Sequence, residues 1–84
     1  MIVNVYTKSA CVQCDSTKRH LKRRGIEYTE QPLEGENLDA AVSLGFRTAP
    51  VVVVSSGGDE QAWDGYRPDR IDNILKELVH EEAS

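Results

Sequence analysis

Cysteine is scarce in this chain, with two in 84 residues, and tryptophan, phenylalanine and methionine occur once each. Two cysteines cannot build the multi-disulfide framework that small secreted domains use in place of a large core. No stretch approaches the roughly 18 consecutive apolar residues of a membrane-spanning helix. The N-terminus reads Met1-Ile2-Val3-Asn4, without the basic and apolar regions of a signal peptide. A cytoplasmic protein without membrane contact is the expectation. Positive charge is also in the minority: ten Lys and Arg stand against fourteen Asp and Glu, for a net charge of −4. That balance disfavours nucleic-acid binding. Repeats, linkers and low-complexity segments are missing too. We therefore expect one domain over residues 1–80 and a frayed tail over 81–84, the core being modest because a chain this short buries only about 60–65% of its unfolded surface.

What is present is punctuated clearly. Ile2 to Thr7 alternates apolar and polar residues and predicts a strand. A helix is expected from Val12 to Arg24, with Gly25 as its left-handed stop. Ile26 to Glu30 alternates again, giving a second strand ended by Pro32. Leu38, Ala41, Val42 and Leu44 predict a helix over Glu34–Leu44, closed by Gly45. Four consecutive valines, Val51 to Val54, signal an interior strand. Ser55 to Asp59 reads as a turn and Glu60 to Trp63 as a return strand at an edge. Pro68 opens a last helix whose apolar stripe is Ile71, Ile74, Leu75, Leu78 and Val79. The order β-α-β-α-β-β-α implies a four-stranded mixed sheet flanked by three helices, an α/β class of thioredoxin-like arrangement.

Both cysteines lie in Cys11-Val12-Gln13-Cys14, between the first strand and the first helix. A C-x-x-C pair at a helix N-terminus suits disulfide exchange, because unpaired N–H groups and the helix dipole stabilise a thiolate. Cys11 is expected to be the exposed nucleophile, titrating below the free-thiol value of about 8.5. Cys14, one turn on, is expected to be buried and to resolve the mixed disulfide, with a potential between about −300 and −200 mV. A metal site is the competing reading. Only His20 and His80 remain as further soft ligands, neither at finger spacing, so zinc or an iron–sulfur cluster would require a second subunit's pair. No resident metal is expected.

Lys8 either places a positive charge near the thiolate or is a solvated loop lysine. Thr48-Ala49-Pro50 precedes the valine strand; beside a C-x-x-C pair a cis Pro50 is expected, with Thr48 and Ala49 offering backbone to a docked peptide. Tyr6 is either core or part of the active-site face. Lys18, Arg19, His20, Lys22, Arg23 and Arg24 crowd the first helix, as a solvated face or as a docking surface for an acidic partner.

The chain resembles the NrdH-redoxins, glutaredoxin-sized proteins that behave like thioredoxins. The resemblance rests on Val5-Tyr6-Thr7-Lys8, Cys11-Val12-Gln13-Cys14, Gly45-Phe46-Arg47, Ala49-Pro50-Val51-Val52, Trp63 and Gly65 to Ile71. It implies a monomeric carrier that takes electrons from thioredoxin reductase, and so from NADPH, without a bound cofactor. The implied recipient is the large subunit of class Ib ribonucleotide reductase. It also implies that Trp63, Gly65, Arg67 and Pro68 order the loop beside the active site; these four, with Lys8, Val12, Gln13, Thr48, Ala49, Pro50 and Tyr66, are the candidate partner-binding residues, and Trp63 read by residue type alone is a side chain covering the core. Asp64 stands where the family usually has Ser or Thr, and Tyr66 where it has Phe. Gly57-Gly58-Asp59 mimics the glutathione-binding motif of glutaredoxins, but it precedes Trp63, where a hairpin turn is expected, and the matching Gly65-Tyr66 lacks the second glycine. A glutathione-dependent glutaredoxin is the alternative reading.

Overall fold

The structure is a computed structural model that describes residues 1–83, with the side chains of Leu75 and of residues 77–83 outside the description. The elements follow the expected order: β1 (Ile2–Thr7), α1 (Val12–Arg23), β2 (Thr29–Pro32), α2 (Gly35–Ser43), β3 (Val51–Ser56), β4 (Asp59–Asp64) and α3 (Pro68–Ala83). The four strands lie in the order β2-β1-β3-β4. β1 and β2 are parallel, and the other two pairs are antiparallel. The valine strand is interior and β4 is an edge, as their patterns required.

Register explains where the core sits. Val5 is opposite Val52, Val3 opposite Val54, and Val52 opposite Trp63, so these side chains share one face of the sheet. Leu21 of α1 with Ile71 and Ile74 of α3 close over that face, and α1 touches α3. The opposite face carries α2, whose only buried residue is Ala41. Its predicted apolar stripe is largely open: Leu38, Val42 and Leu44 are all exposed. The remainder of the α3 stripe, Leu78 and Val79 with Leu75, falls on side chains outside the description; of the expected frayed tail at 81–84, residues 81–83 continue the helix and Ser84 lies outside the described residues.

The second strand and the hairpin turn differ from expectation in their boundaries, for identifiable reasons. The second strand begins at Thr29 rather than Ile26, because Ile26 is consumed in ending α1. Its N–H bonds the Leu21 carbonyl at 2.9 Å while the Gly25 N–H bonds Lys22 at 3.1 Å, the paired closure of a Schellman motif. Ile26 then drops into the core at 7% exposure. Pro32 lies within β2 as its last residue, at the sheet edge, where no further strand needs its missing donor. The hairpin turn is also shorter than expected. Gly57 and Gly58 have φ of 56° and 91°, and this mirror-image two-residue turn lets the strands extend to Ser56 and from Asp59.

Candidate active site

The site forms where α1 begins. Cys11 is the N-cap, with φ −114° and ψ 105°, and its Sγ accepts the Cys14 N–H at 3.1 Å. The cysteine therefore occupies the capping position usually held by Ser, Thr, Asp or Asn. Its sulfur sits on the positive end of the helix, where negative charge is favoured. The Cys11 and Cys14 sulfurs are joined in a disulfide with a Cα separation of 5.2 Å. Cys14 is buried at 1% exposure, whereas Cys11 is partly open and Val12 beside it is 78% exposed. An attacker from solution meets Cys11 first; Cys14 lies beneath, ready to displace it. Ala10, which delivers Cys11, has a left-handed φ of 53°.

The Ala49–Pro50 peptide bond is cis. Pro50 is fully buried and Ala49 nearly so. Asp64 organises this loop. Its Oδ2 accepts the Arg47 N–H at 2.9 Å and the Thr48 N–H at 3.1 Å. These backbone donors hold the Asp64 carboxyl below its ordinary value, against a smaller opposing effect of burial. Thr48 was expected to offer backbone to a docked peptide; its N–H is already taken by Asp64. Arg67 is tied to the same residue, its Nε donating to the Asp64 carbonyl at 3.1 Å.

The cysteine motif and the tryptophan stretch meet at Gly65. Its N–H donates to the Pro50 carbonyl at 2.8 Å, and the next N–H, that of Tyr66, donates to Gln13 Oε1 at 2.9 Å. Gly65 has φ 77°, and a Cβ there would stand 3.0 Å from Gln13 Oε1 and 3.4 Å from Thr48 Oγ1. Only glycine suits both the conformation and the space. Pro68 opens α3 immediately beyond, and both Arg67 and Pro68 are exposed. Trp63 is a correction to the sequence reading, which grouped it with the partner-facing residues. At 3% exposure it belongs to the core, with the Arg70 guanidinium 5.1 Å from its ring centroid.

On the other side of Cys11 an open groove is lined by Thr7, Lys8, Lys18 and Glu30. Lys8 is exposed at its rim. Glu30 accepts the Thr7 hydroxyl at 2.7 Å and Lys18 Nζ at 3.2 Å, and these bonds hold its carboxyl low. The basic cluster of α1 consequently breaks up. Lys18 pairs with Glu30, Arg24 pairs with Asp72, and His20 is buried at 6% exposure. Only Arg19, Lys22 and Arg23 remain exposed without an ion pair among the described residues. Both ring nitrogens of His20 are occupied, by the Tyr66 hydroxyl and by Asp72, which removes it as a metal ligand. Sequence reasoning missed this burial, although a signal existed: Cys14, Thr17 and Leu21 mark the inward face of α1 at i, i+3 and i+7, and His20 lies on it.

A glutaredoxin family model matches residues 3–58. The chain belongs to the glutaredoxin family. Within it the similarity is to NrdH proteins: the glutaredoxin-like protein NrdH of Salmonella typhimurium is 36% identical over 76 residues, covering 88% of this chain and 89% of that protein. That of Lactococcus lactis subsp. cremoris is 32% identical over 72 residues, covering 83% and 94%. The solved NrdH-redoxin of Escherichia coli superposes with a TM-score of 0.80 at 34% identity, covering 88% of this chain and 95% of that one. Mitochondrial thioredoxin 3 of Saccharomyces cerevisiae, at 17% identity and a TM-score of 0.65 over 90% of this chain and 76% of its own, shares the fold. This glutaredoxin-family chain is a thiol–disulfide oxidoreductase. The geometry suits a cycle in which a Cys11 thiolate would attack a substrate disulfide, one substrate sulfur leaving as a thiolate, and Cys14 would then attack Cys11, closing their disulfide and releasing the second substrate sulfur.

Proposed function

We propose that this protein carries electrons from thioredoxin reductase to class Ib ribonucleotide reductase in the cytoplasm, acting as a monomer without a bound cofactor. NADPH is the ultimate donor, and the Cys11–Cys14 pair is the carrier. The observation that supports this reading most is the NrdH similarity over nearly the whole chain, joined to a structural neighbour from Escherichia coli described as a glutaredoxin-like protein with a thioredoxin-like activity profile.

A second observation supports a thioredoxin-like rather than a glutathione-dependent cycle. Gly57-Gly58-Asp59, the stretch that mimics a glutathione grip, turns the β3–β4 hairpin at the opposite end of β3 from Pro50. At the cysteine end the equivalent backbone, Gly65-Tyr66, is already bonded to Pro50 and Gln13. Oxidised protein with NADPH and thioredoxin reductase should consume NADPH, and adding the complete class Ib reductase, both subunits, with its substrate should make consumption continuous. Consumption only with glutathione and glutathione reductase would overturn the proposal and make the protein a glutathione-dependent glutaredoxin.

A further inference from the structure

A chain of contacts runs from Tyr66 away from the cysteines, and none of its members takes part in the sulfur transfers themselves. His20 Nδ1 lies 2.7 Å from the Tyr66 hydroxyl, and His20 Nε2 lies 2.9 Å from Asp72 Oδ1. Arg24 Nη2 is 3.1 Å from the same Asp72 oxygen. A neutral imidazole satisfies both neighbours in one tautomer: Nε2–H donates to the carboxylate and Nδ1 accepts the tyrosine hydroxyl. A buried histidine with both nitrogens occupied is a fixed post. What it fixes is the active-site loop. Tyr66 is held twice, its hydroxyl by His20 on the inner face of α1 and its N–H by Gln13 in the first turn of that helix. Seven residues separate these two grips along α1, or about 10 Å at 1.5 Å per residue.

We propose that His20 is a positioning residue for disulfide exchange, acting through Tyr66 on Gln13. By holding the Tyr66 ring, it keeps the Tyr66 N–H on Gln13 and so fixes the helix turn whose Cys14 N–H donates to the Cys11 sulfur. Neither His20 nor the Tyr66 hydroxyl touches a sulfur. The inference rests on exchange at Cys11 and Cys14, and it is independent of which partners supply or receive the electrons.

The test is a double-mutant cycle on the reduced protein, reading the second-order rate constant with a small aromatic disulfide so that docking of a large partner does not enter. Thermal unfolding of each variant is followed in parallel. Tyr66→Phe removes one hydroxyl and keeps the ring; it should slow exchange, by at most about fivefold, the factor that loss of an ordinary net hydrogen bond sets on the opening equilibrium. In a Gln13→Ala background the same change should slow it by less than about twofold, because the route to the cysteines is already cut. Amide exchange at residue 66 should rise in Tyr66→Phe by a similar factor of about five. Asp72→Asn, at a partly exposed position, is the second variant; it should slow exchange in the same direction, and again not in the Gln13→Ala background. An unchanged rate in Tyr66→Phe would overturn the proposal. So would equal slowing in both backgrounds, which would mean that the hydroxyl acts without Gln13.

Discussion

Each residue of the active-site turn has a separable task. Cys11 takes the N-cap position and Cys14 the buried position one turn on, so their roles differ by exposure and placement rather than by chemistry. Cys14→Ser should trap mixed disulfides through Cys11, whereas Cys11→Ser should abolish exchange; mass spectrometry after incubation with a disulfide substrate reads both. Full turnover in either variant would contradict the mechanism. Ala10 holds a left-handed φ of 53°, which costs an L-residue about 1–2 kcal/mol, offset in glycine by about 0.5–1 kcal/mol of extra unfolded-state freedom. Ala10→Gly should therefore raise stability slightly, by up to about 1 kcal/mol in urea unfolding. Gly65 predicts the reverse. A methyl group there meets Gln13 and Thr48 as well as an unfavourable φ of 77°, so Gly65→Ala should cost about 1–3 kcal/mol and slow exchange together. A variant as stable and as fast as the parent would show that the loop shifts to accept a side chain.

Among the elements, α1 does most of the organising. It carries the cysteines at its start, Gln13 in its first turn, His20 near its end, and a Schellman closure that hands Ile26 to the core. α2 ends the same way, with Gly45 N–H on Val42 and Phe46 N–H on Ala41. Ile26→Ala removes a buried side chain while keeping the backbone N–H that closes α1, and should cost about 2–4 kcal/mol. Since Ile26 lies at the far end of α1 from the sulfurs, the exchange rate of the folded fraction should stay unchanged; a slowed rate would couple the two ends of the helix. Element type and order were legible throughout because periodicity and glycine or proline stops agree at nearly every boundary. The start of β2 was not. An alternating Ile-Glu-Tyr-Thr-Glu run reads as strand, while the helix-closing bonds of Ile26 are backbone interactions that leave no periodic trace.

For the molecule as a whole, acidity is the lever. Glu30 is held below its ordinary pKa chiefly by Thr7 and then Lys18, Asp64 by the Arg47 and Thr48 N–H groups, and Asp72 by His20 and Arg24. The unfolded chain binds protons at these carboxyls near their ordinary values of about 4, before the folded chain does. Their stabilisation is therefore complete above about pH 5 and is lost as pH falls through the lower folded values. Urea midpoints should fall progressively below about pH 5, and Asp64→Asn should flatten part of that slope. A midpoint that rose on acidification would contradict the assignment. Salt should weaken the contributions of Glu30 and Asp72, whose side chains are 46% and 38% exposed, more than that of Asp64 at 19%.

The sequence by itself determined the element order, the interior place of the valine strand and the pairing of two cysteines at a helix start. Each is a property of neighbours along the chain: period, breaker and spacing. The tertiary structure alone decided that Asp64 caps Arg47 and Thr48, that Gln13 clasps Tyr66, and that His20 is buried against Asp72. These contacts join residues 16 to 53 positions apart. A hydrogen bond depends on where two groups end up in space, and for side chains on different elements that is set by how sheet and helices pack, which no local pattern encodes.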